Sequence, residues 1–110
     1  MKDQFQVWDH NFPQKGSHPV VVISHPDRAA KAKHLNVLVC TSQRQSRQPY
    51  PFEVMLDTAD GLSWETFCDC SIMWVVESAA LSNQRGRVTL ERRRAIRAKL
   101  RDMFLLYATD

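Results

Sequence analysis

The chain of 110 residues is 44% hydrophobic and 25% charged, a composition typical of one globular domain and unlike that of disordered or fibrous chains. No apolar run approaches the roughly 18 residues that span a bilayer, and the first residues lack the basic start and long apolar stretch of a secretory signal peptide. Three cysteines, an odd number, argue against a disulfide framework. We therefore expect a cytoplasmic protein with a single domain over residues 1–110.

The net charge of +3 is spread unevenly along the chain. The stretch between Arg47 and Arg85 holds six acidic residues and no lysine or arginine, whereas residues 85–101 hold eight basic residues and one acidic residue. Blocks of one sign inform about partners rather than about fold. A second basic group flanks an apolar run in the first half of the chain: Arg28, Lys31, Lys33, Arg44 and Arg47.

Short segments rich in β-branched residues predict a series of strands. In chain order, a first strand is predicted at residues 4–8. The apolar runs 19–25 and 35–42 predict central strands because both of their faces are apolar. The polar segment 26–34 between them contains three alanines and is predicted to hold a helical turn. Later strands are predicted at 52–56, before a turn at Asp60 and Gly61, and at 66–77 with a bend near Ser71.

The last part of the chain predicts an amphipathic helix. Thr89 is a suitable N-cap, and Glu91 lies in the first turn, where a carboxylate favours the helix dipole. Apolar side chains recur at helical spacing and form one stripe opposite the arginines: Ile96, Leu100, Met103, Phe104 and Tyr107. Five or six short strands followed by one helix predict a mainly β fold, a small and strongly bent sheet or barrel with the helix packed against it.

Six motifs occur in order along nearly the whole chain. They are Trp8 with Phe12-Pro13 and Lys15-Gly16, the stretch HPVVVIS from His18, VCTSQ from Val39, YPFEV from Tyr50, Gly61-Leu62 followed by Asp69, and RGRV from Arg85. This ordered set resembles the MazF/PemK family of toxin endoribonucleases from type II toxin–antitoxin modules. The resemblance implies the small SH3-like barrel that this family shares with the gyrase poison CcdB. It also implies a homodimer that cleaves single-stranded RNA at a short sequence, without a metal or other cofactor, and is inhibited by an acidic antitoxin.

The resemblance further implies the catalytic residues. Thr41 matches a threonine whose hydroxyl stabilises the phosphate oxygens in the transition state. His18 stands where the family has its catalytic arginine, and the loop before it is several residues shorter than usual. An imidazole transfers protons near neutral pH but is a weaker permanent cation than a guanidinium. Two interpretations therefore stay open: His18 replaces the arginine, or it marks a lost activity and is a solvated or structural histidine.

Candidate contacts to RNA surround these two residues in the sequence. Ser42 and Gln43 are the expected neighbours of Thr41 on the substrate, and the basic candidates are Lys15, Arg28 and Arg44, together with Arg47. For any single arginine of these loops, a solvated surface position is an equally good interpretation. The arginines of the C-terminal helix admit three interpretations: nucleic-acid binding, a solvated face, or steering of an acidic antitoxin.

Other conspicuous residues have structural interpretations. His25 is a second candidate acid, but it lies seven positions from His18, so on one regular strand the two would face opposite ways. We expect His25 to be structural or solvated. The pair Cys68 and Cys70 suggests a metal, yet structural zinc usually takes four ligands in CxxC-type pairs, so we expect apolar packing of small thiols.

Two further alternatives to the endoribonuclease remain. The chain is either a catalytically degenerate relative that binds a protein target or regulatory partner, as a CcdB-like poison does, or a plain nucleic-acid-binding module that uses its basic blocks. The shorter loop and the missing arginine favour the first of these. RNA cleavage in EDTA separates both from the enzyme, and salt-sensitive binding without cleavage marks the second.

Overall fold

A computed structural model describes residues 2–42 and 47–104 of the chain. Seven strands and two helices occur in these residues, and short 3-10 turns lie at Thr58–Asp60 and Ser78–Ala80. In chain order they are β1 (Gln6–Phe12), β2 (Gly16–Val22), α1 (Pro26–Lys31), β3 (His34–Ser42), β4 (Glu53–Leu56), β5 (Thr66–Asp69), β6 (Trp74–Glu77), β7 (Ser82–Arg87) and α2 (Leu90–Met103).

The strands form one curled antiparallel sheet in the order β4-β5-β3-β2-β1-β7. The long strand β3 organises it: one edge pairs with β2, and the other pairs with β6 near His34 and with β5 near Ser42. This curled sheet with a C-terminal helix confirms the predicted mainly β fold. Among the described residues, no helix is long and apolar enough to cross a membrane.

The two central strands are apolar on both faces, as predicted, because each face covers its own core. Val21 and Leu38 belong to the core between the curled sheet and α2, whereas Val20 and Val37 belong to a second core beneath α1. Alternation along the strands divides the side chains between the two cores. From α2, Ile96 is fully buried in the first core and Leu100 is partly buried, while Met103 and Phe104 are exposed. Tyr107 lies outside the described residues.

Several predicted boundaries were wrong. The first strand is Gln6–Phe12 rather than 4–8, and the second ends at Val22, so that His25 leaves the sheet and its Nδ1 accepts the Asp27 N–H at the start of α1. The predicted strand 66–77 is two strands that occupy successive places along the same edge of β3. The sequence prediction missed β7, whose polar sequence SNQRGR has no strand pattern; pairing with β1 makes it a strand.

The N-terminus of α2 is held by carboxylates rather than by its own cap. The side chain of Thr89 makes no capping hydrogen bond, contrary to expectation. Instead, its backbone N–H donates to Oδ1 of the fully buried Asp60 at 2.9 Å. Arg92 then donates to Asp57 and Asp60, both at 2.6 Å. These hydrogen bonds from Arg92 lower the pKa of the Asp57 carboxyl, so the ion pair persists to acidic pH.

Candidate functional site

Strand register brings His18 and Thr41 together at one end of the sheet. Val20 of β2 pairs with Val39 of β3 in an antiparallel ladder. His18 lies two residues before Val20 and Thr41 lies two residues after Val39, and both side chains line the same cavity. Side chains two residues apart share a face, so both residues lie on the face of Val20 and Val39.

A cavity of about 140 Å³ opens beside these two side chains. Three of its residues are polar and are also the predicted site residues Lys15, His18 and Thr41. The other walls are apolar and come from three parts of the fold, which are the end of β1, β3 and the start of β6. The apolar residues are Phe12, Val39 and Trp74. The cavity is thus a small polar cluster set against apolar walls, as in many sites for small ligands.

A hydrogen bond orients the imidazole of His18. Its Nε2 lies 3.1 Å from the backbone carbonyl oxygen of Lys15. A carbonyl only accepts, so Nε2 carries the proton of this bond, and the neutral ring keeps the lone pair on Nδ1. The β1–β2 turn that presents the carbonyl is itself closed by the Lys15 N–H donating to the Phe12 carbonyl at 3.0 Å. The ring therefore has one fixed nitrogen and one nitrogen able to exchange a proton.

The positive charge of the site comes from Lys15. Its Nζ lies 5.1 Å from the centroid of the Trp74 ring, a cation–π arrangement that holds the ammonium at the cavity wall. Thr41 is exposed, is the second-last residue of β3, and pairs with Phe67 of β5. A cation, an imidazole and a hydroxyl thus border one small cavity.

The remaining predicted contacts are placed differently. Ser42 follows Thr41 on β3, faces the other side of the sheet and lines a second cavity. Arg28 is exposed on α1, which follows the end of β2 and precedes the start of β3. His18 and Thr41 lie at the other ends of these two strands, so the described structure does not bring Arg28 to His18. Gln43 and Arg44 lie outside the described residues.

Arg47 is engaged in a local structural cluster. Its guanidinium donates to both carboxylate oxygens of Glu53, at 2.9 and 3.1 Å. It also lies over the rings of Tyr50 and Phe67, 4.2 and 4.5 Å from their centroids. This bidentate and stacked geometry uses the features that make arginine a phosphate binder. The Arg47 guanidinium is therefore engaged by Glu53 and two aromatic rings, which ties it to the segment before β4.

The sequence prediction missed His10, a titratable neighbour of His18. It lies on β1 directly opposite His18 of β2. Its ring centroid is 4.4 Å from that of Phe12, a cavity residue. Burial lowers the pKa of His10, because desolvation disfavours the imidazolium. Alternation of Trp8, His10 and Phe12 is the sequence signal for this placement, but the predicted first strand ended too early to show it.

The three cysteines pack in the core between the sheet and α2. Cys40, Cys68 and Cys70 are free thiols with no exposed surface, as expected for small apolar side chains. The contact with Cys40, together with burial, raises the pKa of Cys68, and the contact with Cys68, together with burial, raises the pKa of Cys70, so both thiols remain protonated. Among the described residues, no three histidine, cysteine or acidic side chains form a group that could hold a metal ion.

Comparison with known proteins places this geometry in context. The family model for PemK-like, MazF-like toxins of type II toxin–antitoxin systems matches residues 3–104. No curated protein sequence matches the chain.

Solved structures show the same fold at low sequence identity. An endoribonuclease from a mycobacterial species, in complex with its cognate antitoxin, superposes with a TM-score of 0.82 at 18% identity, covering 97% of this chain and 99% of that one. The toxin MazF-mt6 of Mycobacterium tuberculosis gives 0.79 at 16% identity, with 93% and 98% covered. A MazE–MazF structure from Deinococcus radiodurans gives 0.76 at 20% identity, with 96% of each chain covered.

Proposed function

This chain belongs to the PemK-like, MazF-like toxins of type II toxin–antitoxin systems, and from that membership we propose that it cleaves single-stranded RNA. Proteins of this family are endoribonucleases, and one observation carries the proposal to this chain. The cavity at the start of β2 and the end of β3 holds Lys15, His18 and Thr41 together. They supply a group for proton transfer, a cation and a hydroxyl donor, which are kinds of group that lower the barrier to RNA cleavage.

The proposed reaction is an in-line attack of the ribose 2′-oxygen on the adjacent phosphorus. The 2′-oxygen loses its proton and forms the new P–O bond, and the bond to the 5′-oxygen breaks. The products are a 2′,3′-cyclic phosphate and a 5′-hydroxyl that has gained a proton. A base, an acid and donors to the phosphorane oxygens lower the barrier to this reaction.

Each polar residue of the cavity has a role in this reaction. His18 accepts the proton of the 2′-hydroxyl on Nδ1, because Nε2 is held by the Lys15 carbonyl, and solvent water supplies the proton that the 5′-oxygen gains. The Thr41 hydroxyl donates to a non-bridging phosphate oxygen, and the Lys15 ammonium supplies positive charge. The MazF/PemK family's catalytic arginine, whose position His18 occupies, would combine proton transfer and charge stabilisation. In this chain we propose that His18 performs the first task and Lys15 the second.

The other predicted contacts extend the RNA-binding surface. Ser42 contacts the nucleotide next to the cleaved phosphate, since it is adjacent to Thr41 on β3. Gln43 and Arg44 follow it in the chain and are proposed to contact RNA as well. Arg28 is exposed on α1, so any contact that it makes lies away from the cleaved bond. We propose that this surface selects a short sequence.

We also propose a homodimer in the cytoplasm and an acidic antitoxin as the inhibitory partner. The mycobacterial endoribonuclease is seen with its cognate antitoxin, and this chain offers cations to such a partner. Arg94 and Arg97 of α2 are exposed, whereas Arg92 is engaged by Asp57 and Asp60. Steering by exposed cations raises the association rate of an acidic partner.

The deciding experiment incubates the purified protein with mixed RNA in EDTA and maps the new ends. The wild type should give site-specific fragments with cyclic phosphate ends, identified by mass spectrometry. We expect His18→Ala and Thr41→Ala each to slow cleavage by about 100-fold or more. The matched control His34→Ala changes an exposed histidine at the other end of β3 and should cleave normally.

The outcomes separate the candidate functions. Full cleavage by His18→Ala would refute the proposed proton transfer while leaving the enzyme class intact. Toxicity on expression without any RNA cleavage would instead identify a degenerate relative that acts by binding a protein.

A further inference from the structure

A second and larger cavity lies on the opposite face of the sheet from His18 and Thr41. Its volume is about 270 Å³, and the segment between β4 and β5 covers it on one side. The lining surface is about half polar and half apolar, and the residues that matter most are Asp9, Ser17, Ser42, Trp64, Thr66 and Arg85. We call it the rear cavity.

The charges of the rear cavity neutralise each other. Arg85 donates to Oδ1 of Asp9 at 3.3 Å and to the hydroxyl of Ser63 at 2.9 Å. The other oxygen of Asp9 accepts from the Asn83 amide at 2.8 Å. An arginine already paired with a carboxylate offers little to a free phosphate, which would also meet Asp9. The cavity therefore suits a neutral group that presents donors and acceptors side by side.

An exposed aromatic ring stands at the cavity wall. Trp64 is 61% exposed, although tryptophan usually buries most of its large surface. It belongs to the loop that follows Gly61, next to the Ser63 that fixes Arg85. An exposed indole beside a polar edge is the pattern with which proteins bind unpaired nucleobases, stacking on the ring and hydrogen-bonding the base edge.

The rear cavity and the proposed cleavage site lie back to back. Ser17 and Ser42 line the rear cavity, and their chain neighbours His18 and Thr41 line the first cavity. Consecutive residues of a strand face opposite sides of a sheet. Both pairs lie where the sheet ends, since β2 begins at Gly16 and β3 ends at Ser42. An RNA strand crossing this end would have its phosphate on one face and an adjoining base on the other.

We propose that the rear cavity binds one unpaired nucleobase next to the cleaved phosphate and so determines part of the sequence preference. The base stacks on Trp64, and its polar edge is read by Arg85 and Asp9. This inference rests on the proposed RNA cleavage, but binding alone is sufficient to test it.

The test uses the exposed Trp64, whose replacement leaves the core unchanged. In a Thr41→Ala background, in which cleavage is slowed, calorimetry measures the affinity for short single-stranded RNAs that differ in one base at a time. Trp64→Ala should weaken binding about 10-fold, the effect of one stacked base, and should abolish the preference at one position. Trp64→Phe should retain most of both, and Leu90→Ala, which truncates an equally exposed side chain on α2, should retain all.

A parallel experiment maps the cleavage of a randomised RNA by the same Trp64 and Leu90 variants, made without the Thr41→Ala change. Relaxed preference at a single position next to the cut, with the other positions unchanged, supports the rear cavity. Unchanged affinity and preference in Trp64→Ala would overturn it while the proposed cleavage stands. If the wild type cuts no RNA, the proposed function fails, but the calorimetry still tests whether the rear cavity binds a nucleobase. If the protein binds no RNA measurably, the inference about the rear cavity is overturned as well.

Discussion

His10 lies directly opposite His18 across the antiparallel pair of β1 and β2. Residues opposite each other in such a pair have Cβ atoms about 5 Å apart and share a face. His10 therefore lies beside His18, next to the proposed cleavage site. Its Nδ1 is buried and has no hydrogen-bond partner among the described residues. A neutral imidazole is the form that this environment tolerates, since protonation would place an N–H donor without a partner on the buried Nδ1.

His10 should therefore make the fold sensitive to mild acid. Its pKa is lowered from 6.5 in the folded chain by desolvation, so below that pH the unfolded chain binds more protons than the folded one. The free energy of unfolding should fall as the pH drops from about 7 to 5. Urea unfolding across this range, compared between the wild type and His10→Phe, measures the effect.

The variant should show a flatter pH dependence, because phenylalanine keeps the contact with Phe12 and does not titrate. His34→Gln serves as the control, since His34 is exposed and its replacement should leave the pH dependence unchanged. Parallel curves for the wild type and His10→Phe would contradict the prediction.

Lys15 allows charge and geometry to be separated at the proposed site. Lys15→Met removes the ammonium but keeps the backbone carbonyl that holds His18 Nε2. We expect kcat/KM for RNA to fall by about 10- to 100-fold, because the developing charge on the phosphorane loses its cation. The salt dependence of KM should also weaken, as one phosphate contact is lost.

Lys15→Arg should restore most of the activity, since it returns a cation at the same wall. Equal kinetics for Lys15→Met and the wild type, at two salt concentrations, would remove Lys15 from the mechanism.

The sequence was sufficient to predict the parts of the site that follow from strand alternation. The valine-rich runs identified β2 and β3, and alternation along β3 accounts for the places of Thr41 and Ser42 in two different cavities. That His18 and Thr41 meet depends on how β2 and β3 are aligned, which the pattern of a single strand does not contain.

Long-range contacts explain what the sequence did not show. The residues of β7 have low strand propensity, and pairing with β1 overrides it. Arg47 was a candidate RNA contact because it is a basic residue near Thr41 in the sequence, but Glu53 and two aromatic rings engage its guanidinium. The rear cavity joins residues far apart in the chain, as the hydrogen bond from Arg85 to Asp9 shows.

Asp60 is expected to be the most important carboxylate for stability. It is fully buried and accepts hydrogen bonds from the backbone N–H groups of Asp57 and Thr89 as well as from Arg92. Asp60→Ala should lower the free energy of unfolding by about 3 kcal/mol, because these buried donors lose their acceptor. Urea unfolding measures the loss.

Asp102 provides the comparison for Asp60. It faces Arg101 at 4.0 Å with both side chains largely exposed, so Asp102→Ala should change stability by less than about 0.5 kcal/mol. A loss at Asp60 no larger than that at Asp102 would show that α2 is held by packing alone.

Gly61 and Gly86 form a close backbone contact that positions Arg85 beside the loop carrying Trp64. Gly61 has a φ of +95°, and a Cβ there would lie 2.2 Å from the carbonyl oxygen of Arg85. Gly61→Ala should therefore destabilise the fold by about 3 kcal/mol, the combined effect of left-handed backbone strain and a clash with rigid backbone. Thermal and urea unfolding report this loss.

Gly16→Ala separates the two contributions. Gly16 has a similar φ of +82°, but a Cβ there meets nothing within 4 Å. Its replacement should cost only the strain, about 1 kcal/mol. Because the contact between Gly61 and Gly86 also fixes the rear cavity, Gly61→Ala should weaken the base preference of any protein that still folds. Equal stability losses at the two glycines would show that the close contact contributes nothing beyond backbone conformation.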